Sequence, residues 1–146
     1  MMNVFQLTYD TRLQSWYELR KTLENSDTQT RCVEIDKWWQ KAPLVNHYLH
    51  PDLVSEWPNP WELLVDNNYC TVARALGMYY TLILLGTKDV DFLVGKDDNK
   101  EDVILVTVDR AKYVMNYWPN MVLSSTLNDF NITKKIDLTE IIKKIK

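Results

Sequence analysis

Between Cys70 and Leu85 the chain is apolar almost all the way round a helical wheel, and Gly86 follows at once. Ala73, Leu76, Gly77, Tyr80 and Leu84 make one stripe at helical spacing, yet the residues between them are largely apolar too. A helix without a wet face has to be covered on every side. This segment is therefore the central element, and the rest of the chain must wrap it. The run is shorter than the ~20 residues that a membrane span needs. No other segment is longer or more apolar, so no membrane segment is expected.

The flanking segments supply the wrapping. Leu13, Trp16, Tyr17, Leu19, Arg20 and Leu23 fall on a helix over 10–24. Asp27 is a natural cap for a second helix reaching Gln40, with Val33, Ile35, Trp38 and Trp39 as its apolar side. Pro43, Pro51 and Pro58 mark residues 42–58 as an irregular connector. In Asn59-Pro60-Trp61-Glu62 the Asn caps, the Pro takes the first helical position and the Glu closes the box, which predicts a short helix to about Val65.

After Gly86 the hydrophobic period changes. Val90–Val94, Val103–Val108 and Tyr113–Trp118 read as three short strands, joined by turns at 97–100 and 109–112. They predict an antiparallel meander. Residues 124–136 are polar and carry no clear pattern. Asp137 with Glu140 reads as a capping box for a terminal helix over 138–145, its lysines 143, 144 and 146 suiting the helix dipole. The layout is α+β: N-terminal helices, a central buried helix, then a small antiparallel sheet. At 146 residues the chain is expected to be a single domain, with a helical part over 1–56, a core over 57–118 and a C-terminal extension over 119–146.

Composition serves mainly to exclude. Hydrophobic residues at 46% and charged residues at 25% leave no room for a fully disordered or low-complexity chain. Lys plus Arg is 17 against 20 for Asp plus Glu, so no basic excess exists to hold a phosphate backbone and nucleic acid is not an expected partner. The first ten residues lack the basic-then-apolar pattern of a signal peptide. The two cysteines, Cys32 and Cys70, are then expected as free thiols. His47 and His50 have no further ligand types at metal-site spacing, so neither a metal nor a cofactor is expected. The six tryptophans raise two readings, core filling or a contact surface. The surface candidates are Trp38, Trp39, Trp57, Trp61 and Trp118.

Cys70 is the residue that can carry chemistry. It stands at the head of the central helix, where the helix dipole favours a thiolate. A cysteine at a helix end is first of all a small packed residue, and as a nucleophile it would need a base, usually His, held by a third polar group. The surrounding order of elements resembles the bacterial transglutaminase-like cysteine proteinases, a branch of the papain-like fold. The matching pieces are Trp57-Pro58-Asn59-Pro60-Trp61-Glu62-Leu63-Leu64, Asn67-Asn68-Tyr69-Cys70, the helix to Leu84-Leu85-Gly86, and the strands that follow. The resemblance covers about sixty residues, from Trp57 to Trp118.

The resemblance implies a Cys–His–Asp triad at Cys70, Asp102 and Asn116, so two of the three positions carry other residues. The family's Gly-Gly-Asp turn is replaced by Asn67-Asn68-Tyr69, where Asn still tolerates a left-handed backbone and Tyr69 is expected to crowd the cleft. An ionised carboxylate at Asp102 cannot take and return a proton as imidazole does. These departures imply a non-catalytic member of the fold, acting as a protein-binding or assembly module. The alternative is a cysteine hydrolase or acyltransferase using Cys70 with His47 or His50. The composition, rich in Asn, Lys, Asp and Tyr, also resembles small proteins of tailed bacteriophages. That implies a virion component of tail or neck, or a protein that engages a host factor, in the host cytoplasm or the particle.

Overall fold

The computed structural model describes residues 3–44, 49–118, 121–124, 130–143 and 145. Helix α1, Tyr9–Leu23, starts at Thr8, whose hydroxyl accepts the Thr11 amide. Helix α2, Thr28–Trp39, is capped by Asp27 as expected; its Oδ1 takes the Thr30 amide at 2.7 Å. That bond holds the Asp27 carboxyl below the usual carboxylate range. Helix α3, Pro60–Asp66, carries both bonds of the capping box: the Glu62 amide to Asn59 Oδ1 at 2.8 Å, and the Asn59 amide to Glu62 Oε1 at 3.0 Å. Asn67 ends it in the left-handed region at φ 49°. Helix α4, Thr71–Leu84, has Cys70 as its cap residue and ten buried residues. At 14 residues it is slightly shorter than α1 at 15.

The sheet has five antiparallel strands in the order β4-β3-β2-β1-β5: β1 Val90–Lys96, β2 Asp102–Val108, β3 Tyr113–Trp118, β4 Met121–Ser124 and β5 Asn131–Lys135. The three-strand meander is thus the middle of a wider sheet. Strand β5 returns across the far edge to pair with β1, and its side chains are nearly all exposed. A strand wet on both faces has no alternation to read, which is why 124–136 looked featureless. Gly95 lets β5 come close, since a Cβ there would lie 2.4 Å from the Asn131 carbonyl oxygen.

The terminal helix, α5, spans only Thr139–Lys143, and the Asp137–Glu140 box does not form. Asp137 Oδ1 instead takes the Thr139 amide at 3.0 Å and hydroxyl at 2.6 Å, while Glu140 pairs with Lys143 at 3.3 Å. Lys144 and Lys146 lie outside the described residues.

One core runs from Phe5 to Ile145 around α4, and Ile104, Val106 and Val108 of β2 face it. The opposite face of the sheet carries a smaller cluster of Leu93, Val103, Leu105, Val114 and Phe130. Four of the tryptophans, Trp16, Trp38, Trp39 and Trp57, fill the core. Trp38, Trp39 and Trp57 are buried, so they form no contact surface. Trp61 is 37% exposed, and the Trp118 side chain lies outside the described residues. Tyr17 and Val33, expected on inner helix faces, are exposed.

Trp39 lies edge-on to Trp16 and Trp38 and covers Gly77, where an added Cβ would come within 2.6 Å of the indole ring. A fully buried ring has nowhere to retreat. Gly77→Ala is expected to destabilise the protein by about 1–3 kcal/mol, although alanine is the better helix former. Chemical denaturation compared with Ala75→Gly, a change in the same helix without that clash, separates overpacking from helix propensity.

Candidate functional site

The head of α4 is built by three segments that meet on one side of the sheet. The chain leaving α2 runs past it, with Leu44 bridged to Tyr69 in parallel fashion. Arg74, one turn into α4, secures that segment. Its Nε donates to the Ala42 carbonyl at 2.8 Å, its Nη2 donates to the same oxygen, and its Nη1 donates to Gln40 Oε1 at 3.1 Å. Burial lowers the Arg74 pKa and the charge of Asp36 opposes the shift. Tyr69 does not crowd a cleft. It is fully buried, stacked edge-on against Phe5 and Trp39, with its hydroxyl donating to the Leu63 carbonyl at 3.4 Å.

Cys70 is 7% exposed and part of the main core. Among the described residues nothing is hydrogen-bonded to its sulfur. Asn116, at the position of the family's Asp, sits beside the first turn of the helix. Its Nδ2 donates to the Thr71 carbonyl at 3.2 Å and to the Ile104 carbonyl at 2.9 Å, and its Oδ1 accepts Gln40 Nε2 at 3.3 Å. Its backbone amide donates to Asp36 Oδ1 at 2.9 Å. Strand alternation would send Asn116 away from Met115. A φ of 70° breaks that alternation and turns its amide toward the helical layer. Asn is among the few residues that accept this backbone at low cost.

Asp102 does share the α4-facing side of β2 with Ile104 and Val106, but at the open end of the strand. Its carboxylate accepts Lys96 Nζ at 2.8 Å across the β1–β2 ladder, and the side chain is 83% exposed. The pair raises the Lys96 pKa, a surface interaction of small stabilising effect. His50 points elsewhere: its Nδ1 accepts the Asp52 amide at 3.1 Å, and Asp52 in turn pairs with Lys134 on β5 at 3.3 Å. His47 lies outside the described residues.

The structure therefore brings Asn116 to the helix head, leaves Asp102 in a solvent pair with Lys96, and ties His50 to Asp52. What the sequence did not reveal is the set of buried Asp36 and half-buried Gln40 and Arg74 that holds Asn116 and the 40–44 segment. Asp36 is fully buried and Arg74 lies beside it on the central helix. Their charge types inside apolar segments were the available signal. The second thiol, Cys32, is fully buried, and burial with the Asp36 charge pushes its pKa up to about 12. Among the described residues no three of His, Cys, Asp and Glu gather as metal ligands would, and no helix is long and apolar enough to cross a membrane.

No family model matches this sequence, and no curated protein matches it. Solved structures do. Calcium-bound Legionella pneumophila LapG superposes with a TM-score of 0.73 over 100% of this chain and 93% of that one, at 10% identity. EGTA-treated Legionella pneumophila LapG gives 0.72 over 89% and 74%, at 12% identity. At such identities the likeness is one of fold alone, and the fold is the transglutaminase-like, papain-like one that the order of elements around Cys70 implied.

Proposed function

We propose that this chain is a non-catalytic transglutaminase-like domain that works as a protein-binding or assembly module. The observation that carries the reading is the state of the three inherited positions. The thiol of Cys70 is nearly closed off, Asp102 is spent on Lys96 at the sheet end, and Asn116 gives both amide hydrogens to backbone carbonyls. Covalent catalysis by cysteine needs a proton acceptor near the sulfur that can also return the proton to the leaving group. A carboxylate in that role raises the thiol pKa and cannot shuttle the proton at neutral pH. The scaffold keeps its shape through backbone contacts that ask for no chemistry. Its resemblance in composition to small tailed-phage proteins supports a virion role for the module, which mass spectrometry of purified particles checks directly.

Thiol labelling tests the reading. At pH 6 to 7 the native protein is expected to react with iodoacetamide at Cys70 no faster than a model thiol, and Cys32 contributes nothing because burial keeps it protonated. Labelling much faster than the model thiol, abolished by Cys70→Ser and slowed by His47→Ala or His50→Ala, would instead establish the cysteine hydrolase or acyltransferase.

A further inference from the structure

On the β5 side of the sheet lies a cavity of about 270 Å³ that the Cys70 region does not use. Its walls are Phe92, Ile136, Leu138 and Ile142, and Tyr79 of α4 lines it. Tyr79 is 6% exposed, with its ring edge-on to Phe92. Among the described residues its hydroxyl has no hydrogen-bond partner. The ring is packed while the oxygen itself is not sealed off, so it is reachable from the cavity. Asp91 and Asp137 line the same cavity, and burial, with their charges, pushes the Tyr79 pKa up to about 12. Asp91 Oδ1 is already paired with Lys135 Nζ at 3.1 Å. Asp137 has no basic partner among the described residues, and its bonds to Thr139 occupy only Oδ1. The lining therefore has one negative charge in excess, an acceptor in the phenol, and apolar walls below.

We propose that this cavity receives a lysine side chain of a protein partner, its aliphatic stem against the apolar walls and its ammonium between Asp137 and the Tyr79 hydroxyl. Lysine divides in just this way, burying a hydrocarbon stem and keeping its charge on polar groups. The volume falls below the ~300–1,000 Å³ of pockets that enclose whole ligands, which suits a single side chain. The protein-binding reading supplies the source of the lysine, and the inference rests on it for that point. Ammonium capture is measured without reference to Cys70, so the two can fail separately.

The probe is N-acetyl-lysine N-methylamide, followed by NMR shifts of the Tyr79 ring and the Asp137 amide in the full chain. Saturable shifts are expected, with n-butylammonium reproducing them as a free amine and the Nζ-acetylated probe giving none. Tyr79→Phe and Asp137→Asn are each expected to weaken binding about tenfold. Both keep the local structure, since Phe preserves the ring and Asn keeps an Oδ1 that can accept the Thr139 amide and hydroxyl. Equal shifts from the acetylated probe would mean a merely apolar hole. No shift from any probe, or full affinity in both variants, would also overturn the proposal. A lysine probe that binds while n-butylammonium does not would place recognition in the peptide backbone and overturn it as well.

Discussion

Thr81→Val is expected to lower the unfolding free energy by about 2–6 kcal/mol, the sum for two buried donors left unpaired at about 1–3 kcal/mol each. The side chain lies in the middle of α4 with no exposed surface. Its Oγ1 accepts the indole N–H of Trp16 at 2.9 Å and that of Trp39 at 3.0 Å, and donates to the Gly77 carbonyl at 2.7 Å. A hydroxyl has one hydrogen and two lone pairs, so every bond it can make is made. Valine matches its shape and supplies none of these acceptors. Both indoles are then orphaned, because each is packed on all sides and no water can reach it. Thr81→Ser keeps the oxygen and loses one methyl group, about 1 kcal/mol. Denaturation curves in urea, followed by tryptophan fluorescence, compare the three proteins. A valine variant within 1 kcal/mol of the parent would show that this shared acceptor is not what fixes α1 and α2 onto α4.

Thr81 also shows where sequence reading stops. Its apolar neighbours announced a buried helix, and Asp27, Asn59 and Gly86 announced where helices begin and end, because caps and hydrophobic period are local signals. A lone hydroxyl in that helix gave no sign that two tryptophans, 65 and 42 residues away in sequence, would share it. The same limit applies at the candidate site. Asn116 could be placed by the order of elements, but its inward turn depends on a left-handed residue that breaks strand alternation, and its partners Asp36 and Gln40 come from another helix. Asp102 illustrates the reverse. Its place at the family's second position followed from the order of elements, whereas its pairing with Lys96 followed from a β1–β2 register that only the folded sheet fixes. The tryptophans left two readings open for a simpler reason: composition shows that large amphipathic rings are present without showing which way they face.

Restoring the family's residue at the third position is expected to harm this protein more than deleting it. Asn116→Ala removes the two amide donors, a loss of about 2–3 kcal/mol when the backbone cost of a left-handed alanine is included. Asn116→Gly separates these terms, since glycine accepts the φ of 70° and still lacks the amide. Asn116→Asp does worse, by about 3–5 kcal/mol at neutral pH, because it leaves an uncompensated buried charge. Two carbonyl oxygens, of Thr71 and Ile104, would face a carboxylate that has no hydrogen to give them, and the buried Asp36 carboxylate, which accepts the residue 116 amide, already holds a negative charge beside it. Burial and the like charge both raise the folded-state pKa of the new carboxyl above its unfolded value of about 3.9. Its penalty is therefore smallest below that pH, where the acid is protonated in both states and can donate one bond. It grows as pH rises through the raised folded value and is complete above it. Urea midpoints measured from pH 3 to 8 for the three variants and the parent give the profile. A loss for Asn116→Asp that did not deepen with pH would mean that the carboxyl escapes to solvent. In that case the helix head has room for a catalytic acid, and the non-catalytic reading loses its structural footing.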